Sequence, residues 1–166
     1  MRLVTDMAPP SSTWRDRKPT KLRDQQRSKV YAAKRAAFPD RNPDMTLAQV
    51  ESYVAEVWRS DLVAKILGPM RERQREPDVS DGRGRRSAAS FGGRIAIPRW
   101  GRTKSVILHE LAHELTWERP AHGPKFCENF LALVERFMGY EARDRLGAEM
   151  LKRRVKTRPA KKAVKR

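Results

Sequence analysis

Ser105-Val106-Ile107-Leu108-His109-Glu110-Leu111-Ala112-His113-Glu114-Leu115 decides how this chain is read, and His122-Gly123-Pro124 follows shortly after it. The segment contains H-E-x-x-H and, with His122, accounts for all three histidines of the chain. Residues four apart on an α-helix share a face, so His109 and His113 point the same way and can grip one metal ion. Glu110 then lies beside that ion, where a carboxylate can take a proton from a bound water. Val106, Ile107, Leu108, Leu111, Ala112 and Leu115 make the helix apolar on almost every side, the pattern of a core helix. Two imidazoles and a carboxylate buried there without partners are costly, and a divalent cation supplies the partner.

Catalytic zinc usually takes three protein ligands and a water. His122, Glu128 and Glu135 are the candidates for the third. His122 is preferred because the break at Pro120 lets the chain turn back toward the first helix, and a neutral imidazole is a good zinc ligand. Glu135 suits the spacing of enzymes whose third ligand is a glutamate on the following helix, or else pairs with a basic neighbour at the surface. The pattern H-E-x-x-H-x-x-G-x-x-H is excluded, since Thr116 and Arg119 stand at its glycine and third histidine. Three neutral ligands leave the ion its full charge, so a water it holds ionises near neutral pH. Glu110 accepts that proton and passes it to the leaving amine. Tyr140, Arg94 and Arg99 are the candidates for stabilising the oxyanion. Glu114 either supports the ligands or faces solvent.

Around this centre the chain divides into three. Residues 1–19 contain Pro9-Pro10-Ser11-Ser12 with scattered charge and are expected to be disordered. Residues 20–151 hold the apolar periodicity and form one domain. Residues 152–166 carry nine basic side chains and no acidic one, the composition of a disordered arm.

Within the domain, a helix is expected from near Asp24 to Phe38. A second begins at the capping box Thr46-x-x-Gln49, and a short third is capped by Ser60 and ended by Gly68-Pro69. The stretch from Met70 to Gly93 loses helical period: Arg71 to Glu76 reads as a loop, Asp81-Gly82 as a turn, and Arg85 to Phe91 as a weak strand. Gly93 to Pro98 is a better strand, with Ile95 and Ile97 on one face. Its terminal proline suits an edge position, open to an added peptide strand, and a plain core strand fits the same residues equally well. The metal helix, capped by Thr103, should run to about Trp117. Pro124 opens a helix with Phe126, Phe130, Leu131, Val134, Phe137 and Met138 as its stripe, and a last helix spans about Glu141 to Leu151.

The chain of 166 residues carries a formal charge of +17, which favours polyanionic partners, nucleic acid above all. Lys152, Arg153, Arg154, Lys156, Arg158, Lys161, Lys162, Lys165 and Arg166 are the candidates for binding phosphate backbone without sequence preference. One cysteine, Cys127, rules out an intrachain disulfide and a cysteine-rich zinc ribbon. The N-terminal segment has no signal-peptide core, and no run approaches the roughly 18–20 apolar residues of a membrane span, so a cytoplasmic protein is expected.

At the level of motifs, the order Gly93–Pro98, Val106-Ile107-Leu108-His109-Glu110-Leu111-Ala112-His113 and His122-Gly123-Pro124-x-Phe126 resembles the SprT-like zincin metallopeptidases, whose third histidine precedes Gly-x-x-Phe. Arg23 to Tyr31, Asp81-Gly82-Arg83-Gly84-Arg85 and Gly92 to Pro98 are similar to a small metallohydrolase family of actinobacteria and their phages. The resemblance spans about residues 23–147, with 93–126 as its specific part. It implies an α+β, zincin-like fold, with a small antiparallel or mixed sheet packed on the H-E-x-x-H helix. It also implies one zinc ion on His109, His113 and His122, with Glu110 catalytic. Some SprT-like relatives cleave proteins attached to DNA, so the implied substrate is a protein or peptide, here near nucleic acid. Two other functions fit the same residues: a binding protein that uses the metal fold as a scaffold, and a hydrolase of a non-peptide amide or ester. Glu110 argues against the scaffold, which needs no base there.

Overall fold

A computed structural model describes residues 24–39, 45–117 and 120–157. Among them lie six α-helices and one mixed sheet of three strands, an α+β arrangement. The expected disorder of residues 1–19 lies outside the described residues, as do Arg158, Lys161, Lys162, Lys165 and Arg166 of the basic arm.

Three of these six helices start at a side-chain cap, provided by Thr46, Ser60 and Thr103. Helix α1 spans Arg27–Ala37. Helix α2, Leu47–Trp58, opens on the full capping box: Thr46 accepts from the Gln49 amide and Gln49 reaches back to the Thr46 amide. Helix α3, Asp61–Leu67, is capped by Ser60. A short 3-10 stretch, Gly68–Arg73, then occupies part of the expected loop. Helix α4, Lys104–Glu114, carries H-E-x-x-H; Thr103 caps it, and it ends a turn earlier than its apolar pattern implies. Helices α5, Pro124–Met138, and α6, Tyr140–Lys152, complete the bundle. Ile107, Leu108, Leu111 and Ala112 of α4 are fully buried, as are Phe126, Phe130, Leu133 and Val134 of α5, so α4 is a core helix as its composition requires. Helix α6 packs on α1 and α5. The fold continues past Leu151, because Val155 is buried and the Arg153 side chain pairs with Glu149.

The sheet corrects one expectation. Its strands are β1, Asp78–Asp81, β2, Ala89–Phe91, and β3, Arg94–Ile97, in the order β1-β3-β2. Strand β3 is therefore central, parallel to β1 and antiparallel to β2, so of the two readings the core strand holds and the edge does not. Pro98 tolerates this because it falls just past the last paired residue, where no ladder hydrogen bond asks for its missing N–H. Ile95 and Ile97 are fully buried. Beside Pro98, Gly82 donates its N–H to the Ile97 carbonyl at 3.1 Å, and a Cβ there would lie 2.6 Å from the Pro98 nitrogen. Only glycine admits that approach of two backbones. Strands β2 and β3 are joined by Gly92-Gly93, with φ of +59° and +79°, the paired left-handed residues of a two-residue hairpin turn. No helix among the described residues is long and apolar enough to cross a membrane.

Candidate metal centre

Helix α4 carries His109 and His113 on one face, and the loop into α5 brings His122 to them. The loop ends in a tight turn: Gly123 donates its amide to the Pro120 carbonyl at 2.8 Å, and Pro124 then starts α5. One ligand nitrogen from each of His109, His113 and His122 lies within 4.8 Å of the others, with two of the rings buried and His113 half-buried. The Nε2 atoms of His122 and His109 are 3.4 Å apart. Phe126 packs against all three imidazoles, with ring centroids 4.4–5.0 Å away, and Phe130 closes the far side of His109.

Electrostatics keep these rings neutral. Burial holds His109 well below the ordinary imidazole value, and the Lys34 cation and the other two histidines push the same way. Burial likewise takes His113 down to about 3, with His122 and Lys34 adding to it. For His122 burial again dominates, opposed by its hydrogen bond and charge attraction to Asp24. Neutral imidazoles offer a lone pair to a cation. His122 Nδ1 lies 2.6 Å from Asp24 Oδ2, so the Nδ1–H donates to the carboxylate and Nε2 keeps its lone pair free to ligate. His109 Nδ1 is buried with no hydrogen-bond partner among the described residues. The donor set fits a divalent cation: three neutral imidazoles converge, and one of them is oriented by a carboxylate. These three residues could hold a metal ion. Glu128 pairs with Lys125 and Glu135 with Arg143 on exposed surface, and neither joins the cluster.

Glu110 is buried beside the histidines and lines a cleft of about 930 Å³, together with Asp24, Arg27, Tyr31, His113, His122 and the β2–β3 hairpin. Burial raises its carboxyl to about 7, with Glu114 reinforcing the rise and Lys34 opposing it. The charge of a bound cation acts in the opposite direction. Glu114, left open by the sequence, is turned inward. It accepts hydrogen bonds from the Ser90 hydroxyl and, at 3.0 Å, from the Gly93 amide, fixing the hairpin turn to the end of α4. On the other flank Asn129 Nδ2 donates to the Leu115 carbonyl at 3.2 Å, tying α5 to the same helix end.

Of the expected oxyanion partners, Arg94 and Tyr140 are exposed and do not line the cleft, and Arg99 lines a different cavity. The cleft presents Tyr31 and Arg27 instead. The Tyr31 ring centroid is 5.0 Å from that of His109 and 5.4 Å from that of His122, and the Arg27 guanidinium sits 5.9 Å from the Tyr31 ring. Burial and the nearby Glu110 raise the Tyr31 hydroxyl, so it stays protonated and able to donate. The signal for Asp24, Arg27 and Tyr31 was their spacing on one helical face, at i, i+3 and i+7, in a segment otherwise read for its charge. Gln26, between them, donates Nε2 to the His122 carbonyl at 3.0 Å and to the Lys156 carbonyl at 3.2 Å. No family model, curated protein or solved structure matches the chain, so the reading of the site rests on this geometry.

Proposed function

We propose that this protein is a zinc-dependent metallohydrolase of the zincin-like kind, a metallopeptidase that cleaves peptide bonds near nucleic acid. One observation carries the reading: three imidazole nitrogens within 4.8 Å of one another, with Glu110 on the helix of two of them and lining the cleft that His113 and His122 also line. Three histidine ligands favour zinc over harder cations, which prefer oxygen. When bound, zinc supplies a Lewis acid and lowers the pKa of water to about 7.

The chain's own residues supply the rest. Glu110 accepts a proton from water and returns it to the leaving amine, a role suited to a carboxyl drawn toward neutrality by burial. Tyr31, and Arg27 beside it, face the cleft with hydrogen-bond donors for the developing oxyanion. Exposed Phe91 and Trp117 line the same cleft and offer apolar surface to substrate side chains. Asp24 holds the His122 tautomer.

The test is Glu110→Gln, an isosteric change that keeps the buried site filled. Zinc-loaded wild type should cleave unfolded protein, with new termini visible by mass spectrometry. The variant should retain its metal and lose activity by a factor of about 100 or more. Equal cleavage by both would remove Glu110 from the chemistry. No cleavage of peptide, amide or ester by either would favour the scaffold.

A further inference from the structure

We infer that a second cavity, separate from the metal cleft, is a binding groove for single-stranded nucleic acid. It has a volume of about 730 Å³ and is lined by Arg83, Arg85, Arg99, Trp100 and Arg102, with Asp81 as the one carboxylate. It shares no lining residue with the metal cleft.

Two ordered turns build it. In the first, the Arg85 amide donates to the Gly82 carbonyl at 3.0 Å, and Gly84 takes a φ of +78°, so Arg83 and Arg85 are carried on a closed turn. The second is the 3-10 turn Arg99–Gly101, closed by the Gly101 amide on the Pro98 carbonyl at 2.8 Å, which presents Arg99 and Trp100 just before α4. The Gly82–Ile97 hydrogen bond ties the two turns at their bases. Arg102 reaches across from the second to Asp81 at 3.2 Å.

The charge in this groove is uneven in a telling way. Asp81 is already engaged by Arg102 and by Arg83. Arg85 and Arg99 are exposed and form no ion pair with another described residue. Trp100 is 47% exposed in their midst, although an indole of that size is ordinarily covered. Guanidinium groups bind phosphate, and an aromatic face stacks any base. Their combination on one surface matches a single strand, whose bases are free to stack. A duplex buries its bases, and an acidic peptide has no use for the indole. The whole-chain charge of +17 adds a long-range attraction for any nucleic acid but does not by itself distinguish this face.

The test is fluorescence anisotropy of the full chain with labelled oligothymidylate, the matching duplex and polyglutamate, at fixed moderate salt. R85E/R99E should weaken oligothymidylate binding at least tenfold more than K29E/R35E, which makes the same charge change on exposed α1 positions outside the groove. Trp100→Ala should weaken it by about tenfold while Trp100→Phe retains it. Equal losses in the two double variants would overturn the proposal, as would indifference to Trp100→Ala. Tighter binding of polyglutamate than of oligothymidylate, with the same arginine dependence, would assign the groove to an acidic protein surface. Tighter binding of the duplex would also overturn it. Metal content and peptide cleavage without nucleic acid are separate readouts, so failure here leaves the metal-site reading to stand or fall alone.

Discussion

Asp24 and His122 are 98 residues apart in the chain and meet at 2.6 Å. Carboxylates in this position fix the tautomer of a ligating histidine and raise its basicity, and their loss typically costs 10–100-fold in metal affinity. Asp24→Asn keeps the shape but weakens the acceptor, so competition titration against a chelator should show metal affinity falling by about tenfold or more. An unchanged affinity would make Asp24 a structural cap only. His109, Glu110 and His113 were legible in the sequence because helical spacing alone places them. His122 was legible through its chemistry and the proline break before it. Asp24, Tyr31 and Arg27 were not, because their approach to the histidines depends on how α1 docks. Exposed Tyr140 and Arg94, and Arg99 on another cavity, show the same limit: residue type nominated them, and tertiary placement took them elsewhere.

Among the elements, the helices and strands β2 and β3 declared themselves, and strand β1 did not. The capping box at Thr46 and the serine cap at Ser60 stand where local chemistry puts them. Strand β1 has one apolar residue, Val79, and gains its structure from parallel pairing with β3, a contact no local pattern encodes. The same pairing makes β3 central, although its final proline read as an edge signal. Glu114 of α4, with two donors from the hairpin, ties this sheet to the H-E-x-x-H helix. Glu114→Ala leaves the Ser90 hydroxyl and the Gly93 amide without that acceptor, at a cost of about 1–3 kcal/mol. Urea denaturation should show the lower midpoint, and hydrogen exchange should show faster exchange at Gly93. A midpoint equal to wild type would mean the hairpin is held by its packing alone.

At the scale of the molecule, a core of neutral imidazoles makes stability depend on pH. The histidines titrate near 6.5 when unfolded, whereas burial takes folded His113 to about 3 and lowers His109 and His122 as well. Between those values the unfolded chain binds more protons, so their contribution is complete above pH 6.5 and is lost as pH falls toward 3. Glu110 runs the other way, its folded value raised to about 7, and loses stability as pH rises from 4.5. Three imidazoles outweigh one carboxyl, so the melting temperature of metal-free protein should fall steadily from pH 6.5 to 4. His113→Gln should flatten that slope. An equal slope in the variant would place the dependence on other groups.

The most direct measurement is the metal content of protein purified without chelator, by elemental analysis at neutral pH, beside that of its His122→Ala variant. The account predicts about one zinc per wild-type chain and a marked loss in the variant. A metal-free wild type, or a variant that keeps its full zinc, would contradict it.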